Sequence, residues 1–392
     1  MATGRGQISG VRRLLVVICA TAVVESVFWS ALMPLLPTFK AQFGLSKAQV
    51  GVLVAMYAVG QCAATIPVGL LATGAGTKRS ALAGLMVLAA ASVAFGLVDS
   101  YRDLLVTRFF QGAAGALCWV SGIAWLVEVA PRERRGEMIG TISGASAAGA
   151  VLGPVVGGAA ALIGRAGAFA AVAGLAVVLV FAMARLPRPT AGERPPIALV
   201  RRAYGSRDLW GGQWLVGLPG LLLGTIGVLA PLRLHSLGWG PPGIAVTYLV
   251  AASVGVLARP FVGRWADRSG RIRAIRLLLL ACVAVTVAVP SVDNRWVLSA
   301  CVVLAVSSYG VLWGPAMASL SQAYEQAGVP QALGFALMNL TVGVAIVVGA
   351  AAGGEIAHQA GDLTAYALMV AICLATFAML ALQRHPSARP AT

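Results

Sequence analysis

Twelve long apolar stretches, almost free of charge, leave this chain one environment in which to fold. A helix of about 20 residues spans a bilayer core of about 30 Å. In hydrocarbon every backbone N–H and C=O must be paired within the fold, which a helix does within its own segment and an open strand cannot. The stretches fall at residues 14–37, 48–73, 79–98, 104–129, 137–162, 166–185, 210–232, 243–263, 272–290, 296–320, 331–357 and 363–383, which predicts an all-α membrane protein of twelve spans. Only 11% of the residues are charged, against about 25% in soluble domains. The formal charge of +16 would fit nucleic-acid binding in a soluble protein. In a membrane chain basic residues follow topology instead, and no nucleic-acid partner is expected.

The six cysteines, Cys19, Cys62, Cys118, Cys282, Cys301 and Cys373, lie inside the apolar stretches at no metal-ligand spacing and read as small buried residues. Arg5, Arg12 and Arg13 precede the first stretch as in a signal peptide. That stretch runs on to Pro34 with no small-residue cleavage site, so it reads as an uncleaved span. A Pro- and Arg-rich segment, 186–208, divides a six-span half at 1–185 from a second at 209–392 with a short tail. Most lysines and arginines fall on the side that carries both termini, leaving Lys40, Lys47, Arg102, Arg165, Arg233 and Arg295 opposite. By the positive-inside rule both termini are cytoplasmic. Abundant arginine, alanine and glycine point to a GC-rich bacterial genome, hence a bacterial cell membrane.

The halves repeat each other. Pro34 recurs as Pro231, Gly153, Gly157 and Gly158 as Gly349, Gly353 and Gly354, and Trp119 as Trp313, at nearly constant offsets close to half the chain length. Duplicated bundles around a midplane site are the architecture of alternating-access transporters.

Three motifs carry mechanism. The stretch Gly140–Gly158 sets Gly140, Gly149, Gly153, Pro154, Gly157 and Gly158 into one helix. Glycine costs a helix interior about 1 kcal/mol and proline about 3, so this much of both needs a reason. Small-residue packing accounts for the glycines, whereas Pro154 frees a carbonyl and bends the helix. The turn after span 8, GRWADRSGRIR, carries Gly263, Asp267, Arg268, Gly270, Arg271 and Arg273. There Asp267 can cap a neighbouring helix N-terminus and Gly270 makes the turn. Its first-half equivalent has Thr73 and Thr77 where an aspartate and an arginine are expected. Span 4 carries Arg108, Gly112, Gly115 and Trp119 on one face, with Gln111 beside them. An arginine within a span faces a cavity or a partner, or snorkels from the helix end.

These motifs resemble those of the major facilitator superfamily, and the glycine-proline pattern of span 5 resembles that of its twelve-span drug:proton antiporter branch. The resemblance implies two six-helix bundles that rock about a cavity lined by spans 1, 4, 7 and 10. It implies a latch in the loop motif and a role in proton transfer for Arg108. It puts Trp119, Tyr309 and Trp313 at the cavity, unless they only pack, and makes the glycine strips of spans 5 and 11 the contact along which the halves move.

Glu25, about 16 Å into span 1, is the acidic residue nearest the bilayer centre. Charging it in hydrocarbon costs several kcal/mol, so it is expected to bind and release a proton, or to pair structurally with an arginine. Trp29 shares its face, and the two could hold a proton or an organic cation. Tyr57, Gln61 and Asn339 are further polar groups that line the cavity or bond across helices. The expected function is proton-coupled export of hydrophobic or cationic small molecules by a monomer in the lipid bilayer, with no cofactor or metal beyond the proton gradient. Metabolite import by proton symport is the alternative. An enzyme is not expected: His235, His358 and His385 sit at helix ends or in the tail, with no paired nucleophile at depth.

Overall fold

A computed structural model of the protein describes residues 2–71, 75–131, 134–187, 207–329 and 331–382. The described residues are helical outside short turns, and twelve spans are long and apolar enough to cross a bilayer. Span 1 is broken: a helix Ala2–Ser30, a 3-10 turn Met33–Leu35 and a second helix Leu36–Phe43, stopped by Gly44 at φ 62°. Pro34 and Pro37 cause the break, because each removes an N–H from the ladder. Spans 2 to 6 are Lys47–Leu71, Ala75–Leu97, Tyr101–Val129, Arg135–Ile163 and Arg165–Ala184. Spans 7 to 12 are Arg207–Ser236, Pro241–Ser269, Arg271–Ala288, Arg295–Gln326, Gln331–Gln359 and Asp362–Leu382.

Most boundaries lie within a few residues of those expected from hydropathy. Spans 8 and 10 run further, to Ser269 and Gln326 in place of 263 and 320. Polar residues end an apolar run without ending a helix, and the backbone turns only at Gly270, φ 90°, and Gly328, φ 71°. The linker expected at 186–208 falls largely outside the described residues, as does Thr73.

Packing repeats between the halves, as the duplication requires. Span 1 lies on span 5 as span 7 lies on span 11, and span 4 contacts spans 2 and 3 as span 10 contacts spans 8 and 9. The halves meet mainly where span 2 lies on span 11 and span 5 on span 8.

The glycine strips serve two contacts, one within each half and one between the halves. A Cβ added at Gly149 would lie 2.8 Å from the Val23 Cα, and one at Gly157 would lie 3.0 Å from the Ala31 carbonyl carbon, so this strip seats span 1 of its own half. Likewise Gly349 would meet the Leu221 carbonyl carbon at 2.8 Å and Gly353 the Thr225 Oγ1 at 2.9 Å, both on span 7. Of the repeated glycines only the last of each set crosses between halves, Gly158 to the Ala245 Cβ at 2.8 Å and Gly354 to the Gly51 Cα at 3.0 Å, while a further span 11 glycine, Gly343, would meet the Cys62 Sγ of span 2 at 2.6 Å. The reason is angular: positions four apart stay on one face, whereas the adjacent Gly158 is turned by about 100°.

The Gly158 and Gly354 crossings lie at the end of the bundle remote from the chain termini. There Lys47 and Asp362 also form an ion pair between the halves, at 2.5 Å. The face of span 5 that carries Gly158 continues through Pro154, Val151, Ala147, Gly144 and Gly140. Along it burial falls steadily, from buried at Gly158 and Pro154 to exposed at Gly144 and Gly140, where no described atom lies within 4 Å of an added Cβ. The halves are therefore sealed at the remote end and splayed at the end that carries both termini.

Because Gly149 abuts backbone and Gly140 faces open space, alanine should separate them. Gly149→Ala should destabilise the detergent-solubilised protein by about 1–3 kcal/mol through overpacking. Gly140→Ala should raise thermal stability slightly, by about 0.5–1 kcal/mol of recovered helix propensity. Equal losses in thermal unfolding would contradict the assigned contacts.

Candidate functional site

The break in span 1 sets up a buried polar cluster. The last carbonyls of a helix lack intrahelical partners, and Arg108 of span 4 donates from Nη1 to one of them, Phe28 O, at 3.1 Å. The same nitrogen donates to Gln111 Oε1 at 2.9 Å, and Gln111 in turn donates to Ser92 Oγ at 3.2 Å. Arg108 is 1% exposed, so it points into the bundle and does not snorkel. Its guanidinium lies 4.7 Å from the Tyr57 ring centroid and 5.9 Å from that of Phe95, which suits a weakly hydrated planar cation.

Tyr57 links this cation to Glu25. Its hydroxyl donates to Glu25 Oε1, while the Ser26 hydroxyl approaches Oε2 at 3.3 Å. Glu25 has no ion-pair partner among the described residues, so it is not the structural Arg–Glu pair that was the other option. Both carboxyl oxygens are thus engaged by neighbouring hydroxyls. Trp29 also packs on Tyr57, with ring centroids 5.0 Å apart.

The span 4 glycines make this geometry possible. A Cβ at Gly112 would strike the Tyr57 carbonyl and lie 3.0 Å from the Gln61 nitrogen, and one at Gly115 would lie 2.8 Å from both Glu25 Oε1 and the Tyr57 hydroxyl. Gly60 of span 2 faces the Phe109 carbonyl in return, so spans 2 and 4 approach backbone to backbone and bring Tyr57 to Glu25. A recess of about 10 Å³, the threshold for one water, leads from Glu25 past Thr21, Cys118 and Trp119 toward the splayed end. Trp119 keeps its indole N–H there without a partner among the described residues.

The other expected cavity residues are dispersed. Tyr309 is fully buried in the second half, its hydroxyl 2.5 Å from Thr286 Oγ1, so it does not line the space between halves. By the duplication it stands where the first half has Gly115, and Thr286 stands for Ser92. Trp313 is half-buried and donates to the Val216 carbonyl of span 7 at 3.0 Å. Asn339 bonds back to Phe335 O of its own helix at 3.1 Å, and Gln61 is half-buried one turn from Tyr57. Three residues escaped the sequence reading. Ser26 and Ser146 bridge spans 1 and 5 at 2.7 Å, and Gln213 joins spans 7, 10 and 11 by bonding Tyr324 and Thr341. A small hydroxyl inside a glycine strip is the signal that could have marked Ser146.

In the loop motif Gly270 makes the turn as expected, at φ 90°. Among the described residues Asp267 caps no neighbouring helix; it lies exposed, 3.7 Å from Arg271. Arg271 supplies the tie instead, donating to Gln322 Oε1 of span 10 at 2.8 Å, while Arg268 and Arg273 stay exposed. In the first half Thr77 is fully buried, and Lys78 donates to the carbonyls of Ala184 and Leu186 at the end of span 6.

Tyr57→Phe keeps the ring and its contact with Arg108 but removes the donor to Glu25. The carboxyl band of Glu25 in difference infrared spectra should move as that hydrogen bond is lost. An unmoved band would mean that the hydroxyl serves another group.

The Major Facilitator Superfamily model matches residues 18–338. The chain is 25% identical over 343 residues to an uncharacterized MFS-type transporter of Yersinia pseudotuberculosis, covering 85% of this chain and 86% of that one. It is 31% identical over 165 residues to the MFS-type transporter ppzB of Metarhizium rileyi, covering 41% and 34% of the two chains. The multidrug resistance protein MdtL of Klebsiella pneumoniae is 30% identical over 122 residues, 31% of each chain, so these last two relatives are matched over about a third of their length. Among solved structures, a bacterial homologue of the human lysosomal transporter Spinster, in an inward-facing and unoccupied conformation, superposes over 95% of this chain and 96% of that one. Its TM-score is 0.73 at 15% identity, a likeness of fold.

Proposed function

The chain belongs to the major facilitator superfamily, and from that membership we propose that it is a proton-coupled exporter of hydrophobic small molecules working by alternating access. The observation that carries the proposal is Glu25, a carboxyl held at mid-span by Tyr57 and Ser26 with no counter-ion among the described residues. Such a group suits a proton that is taken up and released in turn, since an unpaired charge in hydrocarbon is costly. Arg108 tunes the exchange through the Tyr57 ring rather than by direct contact. The recess beside Thr21 and Trp119 has room for one water next to the carboxyl, which supports proton access from that side.

With both termini cytoplasmic, as the distribution of basic residues supports, the splayed end faces the cytoplasm and loads substrate there. Protonation of Glu25 from the outer side would accompany the opposite tilt of the halves. The span 5 pattern of Gly149, Gly153, Pro154, Gly157 and Gly158 and the similarity to MdtL favour export over symport. A symporter would use the same carboxyl, and the direction of substrate movement separates the two.

The test is transport in everted vesicles, using dyes selected by an accumulation screen run with and without a protonophore. Glu25→Gln should abolish gradient-driven dye uptake while leaving the amount of protein in the membrane unchanged. Undiminished transport in that variant would remove Glu25 from the mechanism, and wild-type transport indifferent to the gradient would remove proton coupling altogether.

A further inference from the structure

Span 8 carries an arginine that neither the buried cluster nor the loop motif uses. Its exposed apolar stripe is Val246, Val250, Val254, Leu257 and Phe261, the face that meets lipid. Ile244, Tyr248, Ala251 and Gly255 are buried on the opposite side, against the bundle. At about 100° per residue Arg259 falls on the bundle side, roughly opposite the lipid stripe, and yet it is exposed. A side chain can be both only where the bundle encloses open space. That space is the gap between the halves, for Arg259 lies about four helical turns beyond Ala245 on span 8, toward the splayed end.

The position is not that of a snorkelling residue. Arg264 has that role on the lipid stripe, its guanidinium 5.0 Å from the Phe261 ring centroid. Arg259 turns toward span 10, where a Cβ added at Gly310 would lie 4.0 Å from its Nη2. One turn on, Gly314 is exposed with no described atom within 4 Å. Glycine on the facing helix thus leaves room in front of the guanidinium. Among the described residues Arg259 has no ion-pair partner. Across the gap, Gly144 lies about four turns before Gly158 on span 5 and brings no side chain to meet it.

We propose that Arg259 binds an anionic group of the transported molecule, and that the substrate class is hydrophobic carboxylic acids. This rests on the export reading given above. One guanidinium with free N–H donors matches one carboxylate, in number of charges and in bidentate geometry. The half-buried Trp29 and Trp313 offer apolar surface for the rest of the molecule.

Three matched probes test this in everted vesicles containing the full chain: 1-pyrenebutyrate, its uncharged methyl ester, and the cationic 1-pyrenebutylamine. Wild-type protein should transport the acid in preference to both analogues. In Arg259→Gln the ratio of acid to ester transport should fall on the order of tenfold or more, the loss of a charge-assisted pair, and Arg259→Lys should keep part of it. Protein in the membrane is measured in parallel, and the ratio is independent of a loss in expression. Transport of ester or amine without the acid, or an unchanged ratio in Arg259→Gln, would overturn the assignment while leaving export intact. Transport of none of the three, from vesicles that also fail with the screened dyes, would count against export itself.

Discussion

A carbonyl opened in the middle of a membrane span must find a donor, because the surrounding hydrocarbon supplies none. In this chain the prolines after Ser30 open span 1, and Arg108 answers at the Phe28 carbonyl. Much of the buried cluster follows from that one contact. The guanidinium needs a face to lie on, and Tyr57 provides it. Tyr57 then has its hydroxyl directed at Glu25. The bond that repairs the helix break and the carboxyl proposed to carry the proton thus belong to one chain of contacts.

The second half shows what the duplication looks like without that requirement. Ala251 stands where Tyr57 would be repeated and Val302 where Arg108 would be. Span 7 runs unbroken through Pro231, the counterpart of Pro34. Tyr309 stands in place of Gly115, against which the first half packs Glu25 and Tyr57, and satisfies its hydroxyl on Thr286. The backbone arrangement is shared, while the ionisable chemistry at mid-depth belongs to one half. A duplicated fold can divide labour in this way because helix packing depends on side-chain size more than on charge.

The spans, the two halves and the depth of Glu25 were legible in the sequence, since hydropathy and spacing determine them directly. Partners were not. Helical spacing fixes which residues share a face, but not which neighbour that face meets. For this reason Tyr309, four residues from Trp313, reads as a cavity residue, although it is core. The glycine strip was recognisable as a site of close approach, yet its partner, span 1 of the same half, depends on bundle order rather than on the strip. Tyr57 could be identified as polar and within a span, whereas its bond to Glu25 rests on the register set by Gly60 and Gly112. Arg259 was visible only as a basic residue inside a span until the exposed stripe of its helix was known.

The contact between spans 5 and 8 has the form of a lever. From the closed pair Gly158 and Ala245, Gly140 lies about five turns back along span 5 and Gly263 about five turns forward along span 8, each with open space beside it. Both arms are about 27 Å long at 1.5 Å per residue. Each degree of rotation about the closed pair therefore moves the free ends by roughly half an ångström, and a turn on the order of ten degrees sweeps them through about 5 Å. Two glycines at equal distance from the fulcrum let those ends come together with no side chain to stop them short.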